Sequence, residues 1–109
     1  MRRMAELGVP IAAGTDAGVS LTPFDSLHAE LEMYVSDVGL TPMQAIQAAT
    51  GNAARALGVD GSLGTLVTGQ AADLIAVDGD PSVRIADLRS VRVVMKGGRT
   101  VVEKGVVLD

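Results

Sequence analysis

The chain has 109 residues, a formal net charge of −4 and a hydrophobic share of 48%, which excludes an intrinsically disordered protein and suits one small domain. Its nine Lys and Arg residues form no block, so the charge argues against a nucleic-acid partner. Cysteine is absent, which excludes disulfides, thiolate zinc sites and thiol nucleophiles.

The sequence also bears on membranes and compartment. No stretch reaches the roughly 20 apolar residues that a membrane-spanning helix needs. The chain starts with basic residues and a short apolar stretch, but Glu6 and Pro10 interrupt it, which argues against a secretory signal. The absence of cysteine fits a reducing compartment. We therefore expect a soluble, cytoplasmic protein with no membrane partner.

A buried strand is the first main element predicted in residues 1–58. After a weak helical turn that ends at Gly8, residues 9–14 form an apolar run without polar alternation. Such a run predicts a strand buried on both faces, as in a parallel sheet covered by helices. That strand needs neighbours on both edges, and nothing else in residues 1–58 supplies them. We therefore expect the end of something larger: a fragment, a truncated reading frame, or a piece completed by another chain.

Three helices are predicted after this strand from their end signals. The first has Thr22 as its N-cap, followed by a proline, and ends at Gly39. The second has Thr41 as its N-cap, and Gln44 three residues later completes a capping box. The third covers residues 52–57. The first half of the chain is therefore expected to be one strand with helices.

Residues 59–109 have a different sequence pattern, in which short apolar runs alternate with turn residues, and this predicts short strands. The stretch KGGR places Gly97 and Gly98 between two apolar runs, which predicts a hairpin with a tight two-residue turn. β-Branched content bounded by turn residues predicts strands at residues 64–66, 73–78, 91–95, 100–103 and 106–108.

Asp16 is the candidate functional residue, because it stands where the predicted strand passes into a loop. The carboxyl end of a parallel strand carries the chemistry in α/β architectures. Gly14 and Gly18 lie close by and would let a ligand or metal approach. Asp also commonly caps turns, and the spacing fits both interpretations equally. The single histidine, His28, lies off the apolar stripe of its helix, where an ordinary surface position is the simpler interpretation.

Four stretches in order carry a resemblance to a known family: VPIAAGTDAG, LHAELEMYVSDVGLTPMQAIQAATGNAARALGV, GSLGTLVTGQAADLIAVDGDP and VRVVMKGGRTVV. Together they resemble the C-terminal part of the amidohydrolase superfamily, in its imidazolonepropionase-like and prolidase-like (Xaa-Pro dipeptidase) branch. The resemblance implies a (β/α)₈ barrel beside a small β-sandwich, hence an α/β plus β fold. Residues 1–58 would be the last barrel strand with its closing helices, and residues 59–109 the C-terminal share of the sandwich.

The resemblance also implies a role for Asp16. The aspartate in this place binds the catalytic divalent metal, for which we expect zinc, as one or two ions. It takes a proton from the metal-bound water and passes it to the leaving group. Gly14, Thr15 and Gly18 would shape the substrate loop beside it. The family's histidine ligands and bridging carboxylated lysine have no counterpart here, so the chain alone is not expected to be a competent enzyme.

Two functions remain open from the sequence. In the first, the chain is the C-terminal portion of a metal-dependent hydrolase that cleaves an amide-like C–N bond in a small molecule, a dipeptide or a cyclic amide. In the second, it is a non-catalytic truncated product or a subunit that completes a partner barrel. Both predict that it needs the missing barrel portion or another chain, and both are compatible with a homo-oligomer.

Overall fold

Helices make up the first half of the structure, a computed structural model that describes residues 1–20 and 23–109. Helix α2 runs directly into a π-helical turn, and Gly39 ends both in left-handed backbone with φ of +87°. None of the described helices is long and apolar enough to cross a membrane. The helical bounds are Arg2–Glu6 (α1), Leu27–Met33 (α2), Tyr34–Val38 (the π-helical turn), Pro42–Ala49 (α3) and Gly51–Ala56 (α4).

The capping box predicted at the start of α3 is confirmed. The Gln44 backbone N–H donates to Thr41 Oγ1 at 3.2 Å, and the Thr41 N–H donates to Gln44 Oε1 at 2.9 Å. Two otherwise unsatisfied donors of the helix N-terminus are thereby paired. The third predicted helix is also confirmed, since α4 covers almost the same residues.

The predicted start of the first long helix is wrong. Helix α2 begins at Leu27, with Ser26 as its N-cap. The physical reason is a turn before the helix, in which the Ser26 N–H donates to the Pro23 carbonyl at 3.2 Å. Thr22, the predicted N-cap, lies outside the described residues. The predicted end at Gly39 is confirmed.

A four-stranded antiparallel sheet follows, with its strands in sequence order. The β2–β3 hairpin turns at Gly97 and Gly98, whose φ values of +55° and +79° are those of the predicted tight turn. The strand bounds are Leu74–Val77 (β1), Val91–Lys96 (β2), Arg99–Glu103 (β3) and Val106–Val107 (β4), and a 3₁₀ helix, Ile85–Arg89, lies between β1 and β2.

The strand predicted at residues 64–66 is wrong, because side chains rather than a neighbouring strand hold this segment. The Thr65 N–H and hydroxyl both donate to Gln70 Oε1, at 3.1 and 2.7 Å. Gln70 Nε2 in turn donates to the Asp60 carbonyl at 2.8 Å. These bonds fold the segment into turns, so it joins no sheet in the described part of the chain.

One hydrophobic core joins the two halves of the chain. Arg89 of the 3₁₀ helix reinforces it through a two-pronged ion pair with Glu32 of α2, with N–O distances of 2.6 and 2.7 Å. The 3₁₀ helix, which no sequence pattern predicted, thus fixes the sheet to the helices. The division into a barrel part and a sandwich part stays a prediction. The buried members of the core are Leu31, Tyr34, Ala45, Ala48 and Ile85.

The chain exposes more surface than a self-contained protein of its mass. Its accessible surface is 7385 Å², whereas a monomer of this size exposes about 5,700 Å². Several large apolar side chains lie in the open, among them Leu7, Phe24 and Leu66, which are 70%, 87% and 84% exposed. Apolar exposure on this scale is typical of a surface that packs against something else.

Candidate active-site segment around Asp16

Residues 9–18, here called the Asp16 segment, do not form the predicted strand. Burial alternates along the segment, with Ile11, Ala13 and Thr15 half-buried and the residues between them exposed. This period of two is that of an extended chain with one covered face. No strand of the described residues lies beside the segment. A strand is defined by its hydrogen-bonded partner, so the prediction is wrong for this chain taken alone.

Helices α3 and α4 hold the first part of the Asp16 segment. The Ala13 N–H donates to the Ala48 carbonyl near the end of α3, at 2.8 Å. The Asn52 side-chain amide of α4 donates to the Ile11 carbonyl at 3.1 Å. Both bonds join residues more than 30 positions apart in the sequence. The helices packed on the covered face of the segment therefore pair the Ala13 N–H and the Ile11 carbonyl.

Helix α2 holds the end of the segment through Glu30. Its Oε1 accepts a hydrogen bond from the Gly14 N–H at 3.1 Å and a second, short one from the Tyr34 hydroxyl. Burial and the hydrogen bond to Glu30 raise the pKa of Tyr34 to about 12, so this hydroxyl stays a donor at neutral pH. The other oxygen, Oε2, is buried and has no donor among the described residues.

Asp16 itself is exposed and has left-handed backbone, with φ of +51°. Asp is among the few residues other than glycine that adopt this conformation readily, although it still costs about 1 kcal/mol. Gly18 follows at φ of +99°, where an added Cβ would lie 3.1 Å from the Phe24 ring. A tight turn thus presents Asp16 at the surface. Such a turn suits both a capping aspartate and a functional one.

The other candidate residues lie around this turn with different environments. Thr15 is half-buried, and Gly14 is exposed but donates its N–H to Glu30. His28 lies half-buried as the second residue of α2. Hydrogen bonding to Arg89, with a smaller effect from the charge of His28, holds the pKa of Glu32 below its usual range.

The described residues do not form a metal site by themselves. They contain no group of three or more His, Cys, Asp or Glu side chains that could hold an ion. A metal centre in a hydrolase needs about three protein ligands. The described residues therefore do not supply such a centre as a whole, and the role of the exposed Asp16 carboxylate as one of its ligands stays a prediction.

Sequence reasoning missed the residues that hold the Asp16 segment, namely Glu30, Tyr34 and Asn52. One signal for two of them was present, because Glu30 and Tyr34 are four positions apart and so share a helix face. The bond from the Gly14 N–H to Glu30 depends on how α2 packs against the segment, which no local pattern reveals. Asn52 gave no signal beyond its place near a helix start.

Comparison with known proteins decides the family. The sequence model of the Amidohydrolase family matches residues 1–101, nearly the whole chain. This chain belongs to the amidohydrolase family. The resemblance seen in the sequence is thereby confirmed at the level of the superfamily. The coarse fold, part of an amidohydrolase with a small antiparallel sheet, is confirmed as well.

Individual amidohydrolases agree with this assignment over most of the chain. The imidazolonepropionase of Shouchella clausii (strain KSM-K16) is 35% identical over 112 residues, which cover 99% of this chain and 25% of that protein. A prolidase-like protein from Bifidobacterium longum is 33% identical, with a TM-score of 0.89, and the match covers 99% of this chain and 26% of that one.

The crystal structure of a Xaa-Pro dipeptidase with methionine bound in its active site is 41% identical, with a TM-score of 0.79. That match covers 91% of this chain and 24% of the dipeptidase. The comparisons thus confirm the predicted similarity to imidazolonepropionases and also the predicted similarity to prolidases. The chain spans about a quarter of the length of the relatives it matches.

Proposed function

We propose that this chain supplies the C-terminal portion of a metal-dependent amidohydrolase that hydrolyses an amide-like C–N bond. The observation that carries the proposal is Asp16, a surface carboxylate in left-handed backbone at the end of an apolar segment of a family member. Similarity to a Xaa-Pro dipeptidase supports a dipeptide as substrate, and similarity to an imidazolonepropionase supports a cyclic amide.

In this proposal Asp16 is one ligand of a divalent metal, zinc by preference, and the remaining ligands come from outside this chain. Such a metal, when bound, would lower the pKa of a water that it holds towards about 7. The Asp16 carboxylate accepts a proton from the attacking water as general base. The water oxygen bonds to the carbonyl carbon and the C–N bond breaks. Asp16 then returns its proton to the leaving nitrogen as general acid.

Gly14, Thr15 and Gly18 shape the loop that presents Asp16 to the substrate. Gly18 supports this role most directly, because its φ of +99° disfavours any side chain and an added Cβ would lie close to the Phe24 ring, at 3.1 Å. The loop sets where the carboxylate points, whereas the residues that choose the substrate lie outside this chain. The absence of cysteine favours the cytoplasm as the compartment of the enzyme.

The Asp16→Asn variant of the complete enzyme, in which this chain is joined to the remaining barrel, tests the proposal. Asparagine keeps the size and the left-handed preference but cannot take the proton. We expect kcat to fall by about 10³-fold, within the range for loss of a general acid–base group. Asp60→Asn, at an exposed carboxylate in the second half, is the matched control and keeps kcat. An Asp16→Asn enzyme with near-normal kcat would refute the proposed role.

A second candidate function is a separate subunit that completes a partner barrel. The surplus of exposed surface favours it, since 7385 Å² is well above the roughly 5,700 Å² of a self-contained protein of this mass. Oligomeric state and metal content of the purified chain test this role. A self-association or a requirement for a partner supports it, and a monodisperse monomer with stoichiometric zinc contradicts it.

A further inference from the structure

We propose that Glu30 is a positioning residue for Asp16 and acts through the backbone N–H of Gly14. This inference rests on the proposed function, because it assumes that the place of the Asp16 carboxylate matters for turnover. The Glu30 Oε1 accepts the Gly14 N–H at 3.1 Å, across 16 positions of sequence. Gly14 lies two residues before Asp16, at the point where the segment enters its left-handed turn.

Tyr34 fixes the Glu30 carboxylate from the other side. Its hydroxyl donates to the same Oε1, and its ring is one of the buried members of the core. A Glu side chain on a helix surface ordinarily samples several rotamers, and this second bond holds it in one. A continuous path therefore leads from the core through Tyr34 and Glu30 to Gly14, and so to the turn that carries Asp16.

Stability alone does not explain a glutamate at this position. Its Oε2 is buried and meets no donor in the described part of the chain. A buried polar atom without a partner costs free energy, and a charged one costs more. A residue that is costly in the fold yet bonded to the approach to a functional turn fits a role in positioning.

Other bonds keep the segment attached when Glu30 is changed. The Ala13 N–H still reaches the Ala48 carbonyl, and Asn52 still reaches the Ile11 carbonyl. Loss of the Glu30 contact therefore frees only the last two residues before Asp16. The expected consequence is a misplaced carboxylate on an otherwise folded enzyme. Misplacement by about 1 Å can cost up to 10²-fold in rate.

Three variants of the complete enzyme test the inference. Glu30→Leu removes both acceptors at similar size, and we expect kcat to fall about 10- to 100-fold with KM within about threefold. Glu30→Gln keeps an acceptor for Gly14 and restores kcat to within about threefold of the unchanged enzyme. Tyr34→Phe removes only the hydroxyl and lowers kcat by an intermediate factor. Glu6→Leu, an exposed glutamate of α1, is the matched control and keeps kcat.

Amide hydrogen exchange at Gly14 in the same enzymes is a readout that does not depend on turnover. We expect faster exchange in Glu30→Leu and Tyr34→Phe, and normal exchange in Glu30→Gln. A folded Glu30→Leu enzyme with unchanged kcat overturns the inference, as does a Glu30→Gln enzyme as impaired as Glu30→Leu. If Glu30→Leu does not fold, normal kcat and normal Gly14 exchange in Tyr34→Phe overturn it instead.

The failure of this inference is distinguishable from the failure of the proposed function. Asp16→Asn, measured in parallel, decides the proposed function by itself. If Asp16→Asn abolishes turnover while a folded Glu30→Leu enzyme keeps it, only the positioning role of Glu30 falls. If Asp16→Asn keeps turnover, the proposed function falls, and the positioning role falls with it.

Discussion

The Asp16 segment and the β2–β3 hairpin are both apolar stretches that end in a tight turn, yet they are held in opposite ways. The hairpin pairs with itself, with Val94 opposite Val102 and Lys96 opposite Arg99. From Ile11 to Gly14 the Asp16 segment instead bonds to three helices, through residues 16 to 41 positions away. The hairpin is therefore specified by local sequence, whereas the segment depends on how the helices pack.

The surroundings of the two turns show the same difference. At the hairpin, Asp73 accepts the Gly97 N–H at 2.7 Å and also binds Lys96, and both partners lower the pKa of Asp73. This carboxylate is used entirely within its own sheet. Asp16, by contrast, presents its carboxylate to the outside at a turn of similar tightness. The difference separates a carboxylate that is bound within the structure from one that is exposed.

The largest loss of stability is expected from a change in the hydrophobic core beneath the helices, which hold the Asp16 segment but not the hairpin. Leu31 is 3% exposed, so Leu31→Ala leaves a cavity and should lower the free energy of unfolding by about 2–5 kcal/mol. Met33→Ala, at a largely exposed position of the same helix, is the control and should cost much less. Chemical denaturation measures both variants. Amide exchange should rise at residues 11–14 before it rises in the hairpin, and a simultaneous rise would contradict the comparison.

A change confined to the hairpin should leave the Asp16 segment intact. Gly98 has φ of +79°, so Gly98→Ala forces a side chain into left-handed backbone at a cost of about 1–2 kcal/mol. Gly61→Ala is the control, because an added Cβ there meets nothing within 4 Å and its φ is not in the left-handed region. In Gly98→Ala, amide hydrogen exchange should become faster in β2 and β3 only. Faster exchange at Ala13 or Gly14 would show that the two regions are coupled.

The capping box of α3 gives a smaller effect on the helical side. Thr41→Ala removes the hydroxyl that accepts the Gln44 N–H and should cost about 1 kcal/mol in the free energy of unfolding. Thr68→Ala, at an exposed position outside any helix or strand, should be close to neutral. Denaturant unfolding resolves the two, and equal effects would mean that the box contributes nothing specific.

The smallest effect is expected from the ion pair that joins the two halves, and it depends on pH. Arg89 lowers the pKa of Glu32 in the folded state, so the stabilisation is present above the unfolded pKa near 4.5 and is lost as pH falls through the folded value. Arg89→Gln should therefore reduce the fall in melting temperature between about pH 5 and 3. Arg55→Gln is the control at another exposed arginine, and identical pH profiles for the two variants would count against the ion pair.

The sequence predictions were most accurate where a feature depends on residues close together in the chain. The capping box of Thr41, the left-handed end at Gly39 and the glycine hairpin turn are local and were predicted. The start of α2 and the segment near Thr65 were mispredicted, because a turn at Pro23 and the Gln70 side chain replaced the expected bonds. The role of Asp16 and of its neighbours Gly14, Thr15 and Gly18 stays a prediction.

The sequence by itself determined the family, because four stretches of it follow in the family's order. It also determined the capping box of α3, the helix end at Gly39 and the β2–β3 turn, because each of these depends on residues that lie within a few positions of one another. Only the tertiary structure showed that Gly14 and Tyr34 both donate to the Glu30 carboxylate and that Ile85 closes the core of the helices. Such contacts join residues far apart in the chain, so they depend on packing that no local pattern encodes.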